Sequence, residues 1–136
     1  VSNAVAALRA VLVADAELIA LVPASRIIAG VLPKKIALPA ISITSISRID
    51  DQPLAREDVR AIWERGQLMI AAKTYPEQKA VEKAARRALD YQLDPSVPGI
   101  SDVTIIAEGA GPDIFSDDTS IYLGTQDYGV SYNEER

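Results

Sequence analysis

Residues 66–90 read GQLMIAAKTYPEQKAVEKAARRALD, and the reading of the fold turns on the join at Thr74. Before it, Leu68, Ile70 and Ala72 alternate with Gln67, Met69, Ala71 and Lys73, the period-two pattern of a strand. After it the period becomes helical. Thr74 with Glu77 three residues later makes a capping box, and Pro76 falls in the first turn, where a missing N–H costs little. Val81, Ala84, Ala85, Ala88 and Leu89 then form the stripe to be buried, while Lys79, Glu82, Lys83, Arg86 and Asp90 mark the solvated side, with Glu82 and Arg86 at i,i+4 spacing.

Upstream, Ser2 or Asn3 can cap a first amphipathic helix through Val5, Leu8, Val11, Leu12, Leu18, Ile19 and Val22, ending before Pro23. A short strand is expected over Arg26–Val31 and another over Ala40–Ser47, where Ile46 breaks the alternation of Ile41 and Ile43 and predicts a bulge or strand end near Ser45. The charged stretch 48–65 reads as a long loop around Asp50, Asp51 and Pro53. The apolar Val59, Ile62 and Trp63 leave open a helical turn or an extension of the flanking strands into a hairpin.

Downstream, Pro95, Pro98 and Gly99 follow the helix, and 102–108 alternates as a strand. Gly109, Gly111 and Pro112 predict a turn into the acidic run 113–118, and the chain closes on a strand over 119–132. There Ile121 and Leu123 have one parity and Tyr128, Val130 and Tyr132 the other, the pattern of a bulge at Gly124. The last three residues should fray. The order predicts one α+β domain over residues 1–136, a mostly antiparallel twisted sheet of about four strands with two helices packed on one face.

Composition narrows the chemistry. With 136 residues, 49% hydrophobic and 24% charged, the chain is long enough for one real core and too rich in apolar residues for disorder. No Cys and no His are present, which excludes disulfides, thiolate metal sites, cysteine nucleophiles and the Ser-His-Asp triad. A net charge of −5 opposes binding to the DNA backbone. The apolar run 4–22 is interrupted by Arg9, Asp15 and Glu17 and reads as neither a membrane span nor a signal segment, so a cytoplasmic protein is expected.

Paired carboxylates are the remaining catalytic material: Asp50 with Asp51, and Asp117 with Asp118 near Asp113. A small carboxylate-dependent hydrolase would need them to converge across a cleft, and their spacing does not indicate it. The 113–118 run lacks the pattern of a calcium hand loop. Gly109-Ala-Gly111 lacks the third glycine of a dinucleotide fingerprint, and Pro112 and the acids after it would repel a pyrophosphate. No catalytic, cofactor or metal site is expected.

The chain resembles the bacteriophage tail-completion proteins of long-tailed phages, prophages and gene-transfer particles. The likeness runs through ALVPASRIIAGVLPKKIALPAISITSIS (20–47), the 66–90 block and VTIIAEGAGPDIFSDDTSIYLGTQDYGVSY (103–132). It lies in the order of Gly30-Val31-Leu32-Pro33, Leu38-Pro39-Ala40, Thr74-Tyr75-Pro76-Glu77 and Gln126-Asp127-Tyr128; the charged 48–65 stretch departs from many members.

The resemblance implies a virion protein of the neck, assembled in the host cytoplasm as a ring, commonly of six copies. Such a ring caps the head-proximal end of the tail tube and halts its growth. Its partners would be other copies of itself, the major tail tube protein and the head–tail connector protein, with DNA passing through unbound, no membrane and no cofactor. The candidate contact residues are Asp50, Asp51, Arg56, Arg60, Trp63 and Arg65 in the charged stretch. Asp113, Asp117, Asp118, Tyr128 and Tyr132 complete the set. Trp63 could equally be core. A head-closure protein of the neck is the alternative within the same kind of particle.

Overall fold

A computed structural model describes residues 3–50, 59–93, 95 and 97–135. The elements in chain order are α1 (Asn3–Ala14), α2 (Ala16–Leu21), β1 (Ile27–Ala29), β2 (Ala40–Asp50), β3 (Val59–Ala72), α3 (Tyr75–Leu89), β4 (Gln92–Leu93), β5 (Ile100–Ala110), β6 (Ile114–Ser116) and β7 (Ile121–Glu135). Among the described residues the sheet has seven strands in the order β1-β2-β3-β7-β5-β4, with β6 also on β7, and only β1–β2 is parallel. It is therefore larger than the expected four strands, with three α-helices in place of two.

The expected first helix is split. Asp15 leaves helical geometry and caps α2, its carboxylate accepting from the N–H groups of Glu17 and Leu18 at 3.0 and 3.2 Å. Arg87 of α3 ties this break down, pairing with both Asp15 and Glu17. The join at Thr74 follows its sequence: Thr74 Oγ1 accepts from Glu77 N–H at 3.3 Å. The return bond of the box is displaced by one residue, the Glu77 carboxylate accepting from Lys73 N–H at 3.4 Å. On the solvated side Glu82 pairs with Lys79 at 3.1 Å.

All helices cover one face of the sheet. Leu8, Leu12, Leu18, Val81 and Leu89 pack there against Ile41, Ile43, Leu68, Ile70, Ile105, Tyr128 and Val130, all fully or almost fully buried. Gly66 admits α1, because a Cβ there would stand 2.6 Å from Leu8 Cδ1.

The stretch 48–65 is mostly strand: Arg48 pairs with Glu64, Ile49 with Trp63 and Asp50 with Ile62, forming a long β2–β3 hairpin. The loop reading is corrected to the hairpin alternative, and residues 51–58, with Asp51 and Arg56, lie outside the described residues. The bulge expected near Ser45 is present, the register shifting between Ser45 and Ser47.

The bulge expected at Gly124 is not there. β7 holds unbroken register with β3 from Tyr122 to Glu135, and the extra residues lie in β5, between Ser101 and Thr104 and between Ala107 and Gly109. Nor does 109–112 reverse the chain. β6 continues along the same edge of β7 as β5, and the reversal comes after Ser116. Ile121 and Leu123 take the opposite face from Tyr128 by the parity of an unbroken strand, and there they line a hollow with Ala71 and with Leu32, Pro33, Ile36 and Leu38 of the 32–38 segment. Glu134 is held in β7 by Arg48 at 2.6 Å and Asn3 at 2.8 Å, so the expected fraying does not reach it.

Candidate functional site

On the face of the sheet away from the helices, the part beyond the 32–38 segment is open, and its side chains follow from strand parity. Ile49 of β2, 62% exposed, stands beside half-buried Trp63 of β3. Gly129 of β7 lies beneath the indole, where a Cβ would meet Trp63 Cζ2 at 3.2 Å. Ile106 of β5, opposite Gly129 and 45% exposed, completes an apolar row across four strands.

Next to this row runs a polar network. Arg65 donates to Asp127 at 2.7 Å and approaches Glu108 at 3.5 Å, and Gln67 donates to the other Asp127 oxygen at 3.0 Å. Of the sequence candidates, Trp63 and Arg65 belong to this open face. Arg60 lies in β3 opposite Glu134. Asp50 lies at the end of β2, its carboxylate accepting from Arg48 at 2.8 Å, a bond that raises the Arg48 pKa.

The second group stands at the far end of β7. Asp113 accepts from Lys79 Nζ and from the Tyr75 hydroxyl, both at 2.8 Å. The Lys79 bond, then the Tyr75 bond, hold its carboxyl below the usual carboxylate range, and the bond to Asp113 raises the Tyr75 phenol. Tyr75, Phe115 and Tyr122 form an aromatic cluster beside it, with ring centroids 5.8 and 4.7 Å from Tyr122. Asp117 and Asp118 are exposed in the turn before β7. From Ser131, which faces Trp63, to Tyr122, which faces Phe115, is roughly 30 Å along β7 at about 3.3 Å per residue.

Tyr128 and Tyr132 belong to neither group. They are 1% and 2% exposed on the helix-covered face, which corrects their reading as contact residues. Tyr128 donates to Gln126 at 2.7 Å and Tyr132 to buried Glu64 at 2.9 Å, and burial raises both phenols. Sequence reasoning missed Ile49, Ile106, Gln67, Glu108 and Asp127. The signal was the shared parity of Trp63, Arg65 and Gln67, hidden while 48–65 read as a loop.

Among the described residues the candidate carboxylates do not converge for catalysis. Asp113 is spent on Lys79 and Tyr75, and Asp50 stands at the other end of the sheet. A groove of about 300 Å³ between the ends of α1 and α3, lined by Ala10, Val11, Ala14, Asp15, Ala88, Gln92 and Pro95, brings one carboxylate, already paired with Arg87.

The fold is one α+β sheet with helices on one face, and the candidate side chains Arg65 and Asp113 are paired within the chain. Residues 6–130 match the profile of the family described as "Tail completion protein gp17", and the chain belongs to that family. It is a structural protein of the phage tail, a component of the virion, and not an enzyme. Among solved structures, a chain of "Virion of native gene transfer agent (GTA) particle" shares the fold. The TM-score is 0.72 at 17% identity, over 97% of this chain and 99% of that one. A comparison with curated proteins finds no match.

Proposed function

We propose that the protein forms a ring, commonly of six copies, that caps the head-proximal end of the tail tube, stops its polymerisation and offers a surface to the head connector. The observation that carries this reading is the separation of two candidate contact groups at opposite ends of β7. A terminator has to meet the tube on one side and the connector on the other. One group is toward the hairpin end, with Asp50, Arg60 and Trp63 and, nearer the middle of β7, Arg65; Asp51 and Arg56 lie outside the described residues. The other is the tip, with Asp113, Asp117 and Asp118. Family membership over 6–130 and the likeness to a chain of a gene-transfer-agent virion support the same role. A net charge of −5 suits a channel that lets DNA pass without holding it.

The test is electron microscopy of particles made when the gene is deleted. Full heads beside separate, overlong tails are the expected result. Intact virions would contradict the role, and tails of normal length beside heads that leak DNA would favour a head-closure protein of the neck.

A further inference from the structure

We propose that neighbouring copies join by antiparallel pairing of the outer edge of β2 in one copy with the outer edge of β5–β6 in the next, so that one sheet continues around the ring. The inference rests on the ring reading above and adds to it the surfaces that touch.

Both outer edges are half covered. β1 pairs only with Ile41–Ile43, and from Thr44 to Ile49 no strand among the described residues lies on that side. On the other flank β4 covers Thr104 and Ile105, and Asp90 takes the Ala107 N–H at 3.0 Å. No strand among the described residues covers Glu108–Ala110 or Ile114–Ser116 from outside. Soluble proteins shorten, cover or charge such edges, because unpaired backbone groups in an extended strand recruit another strand. Here each open stretch holds one charged residue, Arg48 or Glu108, and beside it exposed apolar side chains: Ile46 (51%) and Ile49 (62%) on one, Ile114 (51%) and Phe115 (46%) on the other.

Strand direction makes the two edges complementary. β2 is antiparallel to β3, β3 to β7, and β7 to β5 and β6, so β2 runs opposite to β5–β6. Rotation about an axis lying broadly along the strands preserves direction. The β5–β6 edge of one copy then meets the β2 edge of the next antiparallel, a heterologous contact of the kind that closes into a ring.

The offset between the edges also fits closure. Through the register, the open part of β2 is centred level with Gly129, and that of β5–β6 level with Gly124. That offset is about five residues, ~17 Å, across ~19 Å of sheet, the width of three strand spacings within a copy and one between copies, a strand tilt of ~40°, within the range of about 35–45° for closed barrels. With this offset β1 of one copy lies just beyond the end of β6 of its neighbour. The short β1 and β4 strands thereby act as stops that fix the register.

The test is a photoreactive benzophenone amino acid in place of Ser47, in particles assembled with the variant, followed by irradiation and mapping of the cross-linked peptides. Cross-links to residues 106–116 of a neighbouring copy are expected. A reciprocal probe in place of Phe115 should capture residues 44–49, and it decides the matter if the Ser47 variant does not fold. If microscopy of the same particles shows the ring but the cross-links between copies fall elsewhere, edge pairing is wrong and the ring reading stands. If no ring is present at the tail end, both are wrong.

Discussion

Gly66 and Gly129 sit almost side by side, Gly66 on β3 opposite Tyr128 and Gly129 on β7 opposite Arg65, yet they serve opposite faces of one sheet. Gly66 opens toward Leu8 and lets α1 approach the strands, and Gly129 opens toward Trp63 and Glu108, where no helix lies. On the covered face, burial of aliphatic side chains holds the protein together. The open face spends Trp63, Ile49 and Ile106 on a row whose removal the fold should tolerate. Stability thus rests on the covered side of these strands, and the open side is left to the proposed contacts.

The contrast is broken most readily by large truncations. Leu8→Ala should cost about 2–5 kcal/mol of stability, because a fully buried side chain is removed from between helix and sheet. Trp63→Ala should cost about 1 kcal/mol as a change at a partly exposed site, while abolishing the joining of tails to heads. Urea denaturation and particle counts check the pair. A Trp63→Ala variant that folds and assembles normally would remove Trp63 from the contact surface.

The glycines sharpen the contrast with smaller effects. Gly66→Ala should destabilise by about 1–3 kcal/mol, since Leu8 is confined in the core. Gly129→Ala should shift stability by less than about 1 kcal/mol, because the nearest atom to the new methyl is the far end of the Glu108 side chain, 2.4 Å away and able to swing into solvent. Equal losses in thermal unfolding would mean that the two faces are not divided as described.

The helix-covered face was largely legible in the sequence where it obeys simple periodicity. Leu68, Ile70 and Ala72, the cap at Thr74, the α3 stripe and the bulge after Ser45 all follow from spacing. The hairpin was not, because its parity is inverted in polarity: Glu64 points inward to Tyr132 and Ser45, while Trp63 points outward. A buried carboxylate beside a half-buried indole that faces the other way reads as no strand at all. The tyrosines failed for a related reason. Ile121 and Leu123 find cover on the second face from the 32–38 segment, so the parity switch that suggested a bulge at Gly124 marks a change of covering layer along an unbroken strand. Asp15 broke the first helix because its carboxylate serves the N–H groups of α2 better than it continues α1.

The measurement that tests the proposed role most directly is polymerisation of purified tail tube protein with and without this protein, with tube lengths and ends scored by electron microscopy. Short tubes carrying a ring at one end, and no further growth from that end, are the predicted result. Tubes of unchanged length with bare ends would contradict it.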